Sequence, residues 1–355
     1  MTFRLALIGF GGVNQGLVSL LKAKQGKLGD LDIRITALAD LRLGVVSNPQ
    51  GIDLDALLAT ADSGFTTDAL RRDPATRISE HIDLAATLEL VTADYVDVVV
   101  EATFTDPHTG EPALSHCRAA LSHGKHVITT NKGPIALAQQ SLTRLAAANG
   151  AAIKYEGAVM SGTPVLRQIS TTLRGCEING FAGILNGTSN FVLERLAQGH
   201  DFDAAVREAQ ELGYAEADPS ADLGGGDVQL KVVILANTLW QAGLTRSDVS
   251  CRGITGLTSA DIRAAQAAGR SWRLVGSATR HADGSVSASV EPRELPAGHP
   301  LAAIGGVTNA ITFDTDVLGG VTISGPGAGR VETAFAVLSD LIELADQARG
   351  LEVQA

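Results

Sequence analysis

Apolar positions in this chain follow two rhythms. Leu5–Ile8 is a short unbroken apolar run, followed by Gly9-Phe10-Gly11-Gly12-Val13-Asn14-Gln15-Gly16 and a helical spacing through Leu17, Leu20 and Leu21. Ile33–Ala39 reads as a second strand ending at Asp40. Val96–Val100 is β-branched, as expected of a parallel strand covered on both faces. A helix over Pro112–His123 leads to a strand at His126–Thr129. Residues 44–90 are harder to read, with helix-like stretches at Leu54–Thr60 and Thr67–Arg72. Strands alternating with helices predict a parallel α/β sheet.

From Ala151 the pattern changes. Ala152–Tyr155, Gly180–Leu185, Ser285–Val290 and Ala310–Phe313 read as strands of a second sheet. Helices are predicted near Pro164–Thr172, Asn190–Ala197, Asp203–Leu212, Asp227–Gln241 and Ser259–Ala268, with a long amphipathic helix over Gly329–Arg349. No internal repeat or low-complexity segment interrupts this order.

At 355 residues the chain has room for two domains. Its net charge of −11 argues against a general affinity for nucleic acid or anionic membrane. Phosphate ligands stay open, because a helix N-terminus binds them locally through backbone N–H groups. Cys117, Cys176 and Cys251 are widely spaced, an odd set that points to reduced thiols in the cytoplasm. The Met-Thr-Phe-Arg start resembles no signal peptide, and no uninterrupted apolar run reaches membrane-span length.

Candidate chemistry falls in three places. A strand, Gly-x-Gly-x-x and a helix form the dinucleotide-binding arrangement, with Gly9, Phe10, Gly11, Gly12 and Val13 as the loop. Gly9 makes the tight turn and Gly11 lets a pyrophosphate approach the backbone. Asn14 stands where Gly or Ala is preferred for close helix–strand packing, a departure that Gly16 could relieve. Asp40 could accept from an adenosine ribose, favouring NAD, whereas Arg42 could pair with a 2′-phosphate, favouring NADP, or be a solvated loop charge. Lys132 follows the His126–Thr129 strand, and Thr103 follows Val96–Val100, where open α/β sheets place their ligands. The third place is residues 212–231, which hold Glu216, Asp218, Asp222, a glycine triplet, Asp227 and Lys231. Asp227 and Lys231 are four apart and share one helix face. The Val232–Ala236 run that follows marks the helix as buried, and a buried lysine rarely serves stability.

Taken together these motifs resemble those of the homoserine dehydrogenase family over almost the whole length. The marks are Gly9–Val13, Thr130-Asn131-Lys132, Tyr155–Pro164, Gly183–Asn190 with its Asn-Gly-Thr, Gly213–Lys231 with its Gly-Tyr-x-Glu-x-Asp-Pro, Gly253–Leu257 and Gly325–Gly329. The resemblance implies a Rossmann-type nucleotide-binding domain over 1–150, joined by the C-terminal helix of 325–355, and an α+β catalytic and dimerisation domain over 151–324. It implies an oxidoreductase acting on a CH–OH group, which reduces L-aspartate-4-semialdehyde reversibly to L-homoserine with NAD(P)H, in threonine, methionine and isoleucine biosynthesis. Glu216 would grip the substrate amino group, Lys231 would be the proton donor and Lys132 would lie between cofactor and substrate. Asp227 would be a second substrate contact or the lysine's partner, and Asp222 a substrate-binding residue that supports the direct contacts or orders the loop. Gly329 would join the nucleotide contacts. Glu156, with Val159, Ser161 and Thr163, resembles a monovalent-cation site suited to Na⁺. A homodimer is implied as well, and a C-terminal regulatory domain is not expected. Two other readings are a relative acting on another small 2-amino or 2-oxo aldehyde and a nucleotide-binding sensor without turnover. Retention of both lysines with Glu216 and Asp227 argues against the sensor.

Overall fold

The computed structural model describes residues 2–354. The chain divides into two compact units, Met1–Gly162 with Gly329–Ala355, and Thr163–Ala328. The first opens with β1 (Thr2–Ile8), α1 (Gly12–Ala23), β2 (Asp32–Asp40), β3 (Gly44–Ser47), α2 (Leu54–Asp62), β4 (Arg77–Ser79) and α3 (Leu84–Thr92). It continues through β5 (Val98–Glu101), α4 (Ala113–Ser122), β6 (His126–Thr129), α5 (Lys132–Ala148) and β7 (Ile153–Lys154). One sheet has the order β4-β3-β2-β1-β5-β6-β7. Pairing is parallel from β2 to β7 and antiparallel at the β3 and β4 edge. β5 is buried at all four positions, which its β-branched run requires. The strand order reverses at β1, flanked by β2 and β5, so the crevice beyond its carboxyl end is where ligands bind in such sheets.

Three expectations change here. Thr67–Arg72 holds only a 3₁₀ turn at Leu70–Arg72. Residues 44–90 contain the antiparallel edge and α3, which local pattern did not reveal. Ala152–Tyr155 belongs to the first sheet, because β7 pairs in parallel with β6.

The second unit contains α6 (Leu166–Ser170), β8 (Ile178–Ile184), α7 (Gly187–Ala197), α8 (Phe202–Glu211), α9 (Ser220–Leu223), α10 (Gly226–Trp240) and β9 (Val249–Cys251). α11 (Ser259–Ala267), β10 (Arg270–Arg280), β11 (Val286–Pro296), β12 (Thr308–Thr315) and β13 (Gly319–Pro326) complete it. Its sheet runs β13-β12-β8-β10-β11-β9, antiparallel except for β9 on β11. α10 is buried from Val228 to Asn237. A Cβ at Gly276 of β10 would lie 2.6 Å from Val228 and 2.7 Å from Val232, so that glycine lets α10 lie close on the sheet. The chain's last element, α12 (Arg330–Gln354), belongs to the first unit and packs on α1. Gly16 makes that packing possible, since a Cβ there would lie 2.8 Å from the Arg330 carbonyl.

Candidate active site

The first unit holds a crevice of about 560 Å³ at the ends of β1, β2 and β5, walled by Gly9, Gly11, Asp40, Arg42, Thr103 and His116 among others. Gly9 sits at φ +79°, and a Cβ there would lie 2.8 Å from the Ala102 carbonyl oxygen. A Cβ at Gly11 would meet nothing within 4 Å, so the bare backbone faces open space, as a pyrophosphate requires. α1 starts at Gly12 with no side-chain cap, leaving its first N–H groups for an anion. These features fit a dinucleotide. Val13 is half-buried in the first turn, and the Arg330 side chain crosses Gly12 and donates to Gln15 Oε1 at 2.5 Å. Gly329, at φ +135°, leads into that residue.

Phe10, Asn14 and Asp40 also make contacts within the protein. Phe10 turns its ring fully into the core, and its amide donates to Asp40 Oδ2 at 2.7 Å. Asn14 is buried and donates to the Gly9 carbonyl at 2.6 Å, so it ties the loop, while Gly16 serves the α1–α12 contact and not the strand. Asp40 is engaged within the protein. Besides the Phe10 amide it takes bonds from the Arg42 amide (2.9 Å), Nε (3.0 Å) and Nη2 (3.1 Å), which uses the four lone-pair positions of a carboxylate. Burial pushes this carboxyl up, but the Arg42 guanidinium and the two amides together outweigh that and hold it below the usual carboxylate value. Arg42 is accordingly no loose loop charge: it also donates to the Phe10 carbonyl at 3.1 Å and stacks 3.4 Å over the Phe65 ring.

Lys132 is the half-buried first residue of α5, and Thr103 lies two residues beyond the end of β5. Glu156 and Val159 are buried on and after a 3₁₀ turn at Glu156–Ala158, and Met160 and Ser161 take φ +56° and +54°. The Ser161 hydroxyl lies 2.7 Å from that of Thr333. In the second unit Thr163 is buried and donates to the Pro326 carbonyl at 3.0 Å.

The acids and lysine of residues 212–231 converge in part. Lys231 is only 7% exposed; its ammonium pairs with Asp227 at 2.8 Å and donates to the Leu185 carbonyl at 2.5 Å. Those partners use two of its three donors. Asn186 joins Asp222 to this pair, donating from Nδ2 to Asp222 at 2.7 Å and Asp227 at 3.0 Å. Its Oδ1 meanwhile caps α7 through the Ser189 amide at 2.8 Å. Thr188 donates to the Tyr214 carbonyl at 2.6 Å and anchors the loop bearing Glu216. Glu216 itself is exposed, and among the described residues its carbonyl alone is engaged, by Gln210 at 3.2 Å. Sequence spacing alone did not single out Asn186 and Thr188, though both lie in the Asn-Gly-Thr motif.

Burial, and then the charge of Asp227, push the Asp222 carboxyl above its usual value against the opposing bond from Asn186. Folding therefore penalises the ionised form of Asp222, and the cost grows as pH rises from the ordinary carboxylate value through the raised one. Asp222→Asn is expected to raise the melting temperature at pH 7. The gain should shrink as pH falls toward the ordinary carboxylate value of about 3.9, below which both states carry the proton. Melting curves of wild type and variant across pH 4–8 check this, and a gain independent of pH would exclude it.

A switch-point crevice with a glycine loop in the first unit, and in the second a buried ammonium paired with a carboxylate, are features of a dinucleotide-dependent oxidoreductase. The family model for homoserine dehydrogenase matches residues 164–342, and that for the homoserine dehydrogenase NAD-binding domain matches residues 9–156. The NAD(+)-dependent homoserine dehydrogenase of Pseudomonas canavaninivorans is 51% identical over 96% of each chain. The homoserine dehydrogenase of Methanocaldococcus jannaschii is 34% identical over 96% of this chain and 98% of its own. Among solved structures, a putative homoserine dehydrogenase from Archaeoglobus fulgidus superposes with a TM-score of 0.84 at 36% identity, covering 96% of this chain and 99% of that one. A hyperthermophilic archaeal homoserine dehydrogenase in complex with NADPH gives 0.82 at 28% identity, covering 98% of both. The chain belongs to the homoserine dehydrogenase family.

Proposed function

We propose that this chain catalyses the reversible NAD(P)H-dependent reduction of L-aspartate-4-semialdehyde to L-homoserine, a step in the biosynthesis of threonine, methionine and isoleucine. The observation that carries the reading is Lys231: an ammonium buried on α10, held by Asp227 and the Leu185 carbonyl, with one donor left for a substrate oxygen. The nucleotide would lie on Gly9–Val13 with Arg42, Thr103 and Lys132, and in its reduced form it supplies a hydride to the aldehyde carbon. Lys231 stabilises the negative charge that then develops on the oxygen and donates the proton that completes the hydroxyl. Asp227 holds the ammonium in place, and Asn186 keeps Asp222 and Asp227 together beside it. Glu216 binds the substrate ammonium, and fixing that end orients the aldehyde. In the oxidative direction neutral Lys231 takes the hydroxyl proton.

The protein is read as a cytoplasmic homodimer. Three unpaired cysteines support a reducing compartment. The β13 edge, with exposed Val317 and Leu318 in the turn before it, supports a subunit contact, which light scattering would measure. A Na⁺ at Glu156, Val159, Ser161 and Thr163 is supported by their burial and hard oxygen donors, and replacing sodium by a large organic cation in the assay tests it. The central experiment incubates purified protein with L-homoserine and NAD⁺ or NADP⁺ in parallel at the reduced-nicotinamide absorbance. Homoserine-dependent reduction of at least one cofactor is expected, and no signal with either overturns the reading.

A further inference from the structure

The reaction described above leaves one fully buried carboxylate without a task. Glu101 is the last residue of β5 and is 0% exposed. Among the described residues, neither arginine nor lysine pairs with it. Its oxygens are instead met by neutral donors from two strand ends and by one imidazole. Oε1 accepts from the Thr103 amide at 3.2 Å and from the Thr103 hydroxyl. Oε2 accepts from the Thr129 hydroxyl at 3.3 Å and from Asn131 Nδ2. His116 Nδ1 on α4 lies 3.6 Å from Oε1 and has no hydrogen bond of its own, although the residue is buried and borders the nucleotide crevice.

We propose that Glu101 is a positioning residue for the nicotinamide-nucleotide crevice, acting through Thr103 and Asn131. Two details separate this from general packing. Asn131 occupies the N-cap of α5 but makes no capping bond, and its Nδ2 donates to Glu101 instead. The carboxylate thereby fixes the residue that leads into Lys132. On its other side Glu101 holds the turn at Ala102 and Thr103, and this backbone lies against the nucleotide loop. A Cβ on Gly9 would come within 2.8 Å of the Ala102 carbonyl and 3.2 Å of Thr103 Cα. A shift of that turn therefore moves a wall of the crevice. A buried carboxylate is costly unless its bonds are satisfied, and only an acceptor on both oxygens satisfies donors arriving from both sides. Glutamine at 101 would set an NH₂ against either the Thr103 amide or the Asn131 amide, which both donate.

This inference rests on the nucleotide reading of the crevice but not on homoserine as substrate. Its test is accordingly NADH binding by fluorescence titration without homoserine, followed by steady-state kinetics. Glu101→Gln is expected to raise the NADH dissociation constant and the cofactor KM by about tenfold or more, the scale of one lost charge-assisted bond. The homoserine KM should stay within about twofold, since truncation at one site leaves an independent one unchanged. Asn131→Ala removes one spoke without removing a helix cap, so it should weaken NADH binding while the melting temperature holds. Wild-type NADH affinity in a folded Glu101→Gln protein overturns the proposal, as does an equal rise in both KM values. Should that variant fail to fold, wild-type NADH affinity in Asn131→Ala overturns it instead. Wild-type protein that binds NADH yet leaves homoserine unoxidised would sink the assigned reaction and leave this proposal standing.

Discussion

Lys231→Met is expected to lower turnover by about a thousandfold while NADH still binds with its wild-type constant. In the proposed mechanism one side chain carries two tasks, and its removal takes both. A preorganised donor to a developing oxyanion is worth about 10²–10³ in rate, and a positioned general acid about 10²–10⁴. The two do not multiply, because the same N–H serves both. Methionine fills nearly the same volume and keeps the packing of α10, where Val228, Val232 and Leu235 are fully buried. The ion pair with Asp227 is lost, and a half-buried carboxylate beside Asp222 that has lost its lysine counter-charge destabilises the fold. A lower melting temperature should thus accompany the loss of rate. Full-length variant, NADH titration and kcat measured at saturating homoserine separate the effects. Loss of NADH binding in step with kcat would make Lys231 structural and remove it from the chemistry.

What could be read in advance follows from how far apart the cooperating residues lie. β1, the glycine loop and α1 were legible because strand, turn and helix are contiguous, and each has its own local signature. α10 was legible through its apolar run and the four-residue spacing of Asp227 and Lys231. β10 was missed: in Arg270–Arg280 arginine and serine interrupt the apolar positions, and the strand is specified by its pairing with β8 and β11. β13 was missed because Gly319–Pro326 has four glycine or proline residues in eight and owes its strand to β12. β7 was seen as a strand but given to the wrong sheet, since two residues of backbone say nothing of their partner. The site shows the same limit. Asp222 and Asp227 are linked through Asn186, which is 36 and 41 positions away. Glu101 draws its donors from residues 2 to 30 positions downstream. Periodicity does not register such pairs.

Glu216→Gln is expected to raise the homoserine KM by about ten- to a hundredfold, with kcat reduced less, NADH binding unchanged and the melting temperature unmoved. The magnitude follows from a charge-assisted bond of about 1.5–3 kcal/mol at 1.4 kcal/mol per tenfold. Glutamine keeps the length and one acceptor oxygen, so only the charge is removed. Stability is spared because the side chain is exposed, and the loop is held elsewhere: by Thr188 on the Tyr214 carbonyl, by Gln210 on the carbonyls of Glu216 and Ala217, and by the Tyr214 ring edge-on to Phe191. This separates Glu216 from Asp222 and Asp227, whose replacement disturbs the Asn186 and Lys231 contacts as well as any ligand. Exposure also makes the attraction sensitive to salt, since a Debye length of about 8 Å at physiological ionic strength screens exposed charges. The wild-type homoserine KM should rise as salt is added, and the variant's should rise less. A variant with an unchanged homoserine KM and an unchanged salt response would mean that the substrate ammonium is held by another group, and Asp222 and Asp227 would be the carboxylates to test next.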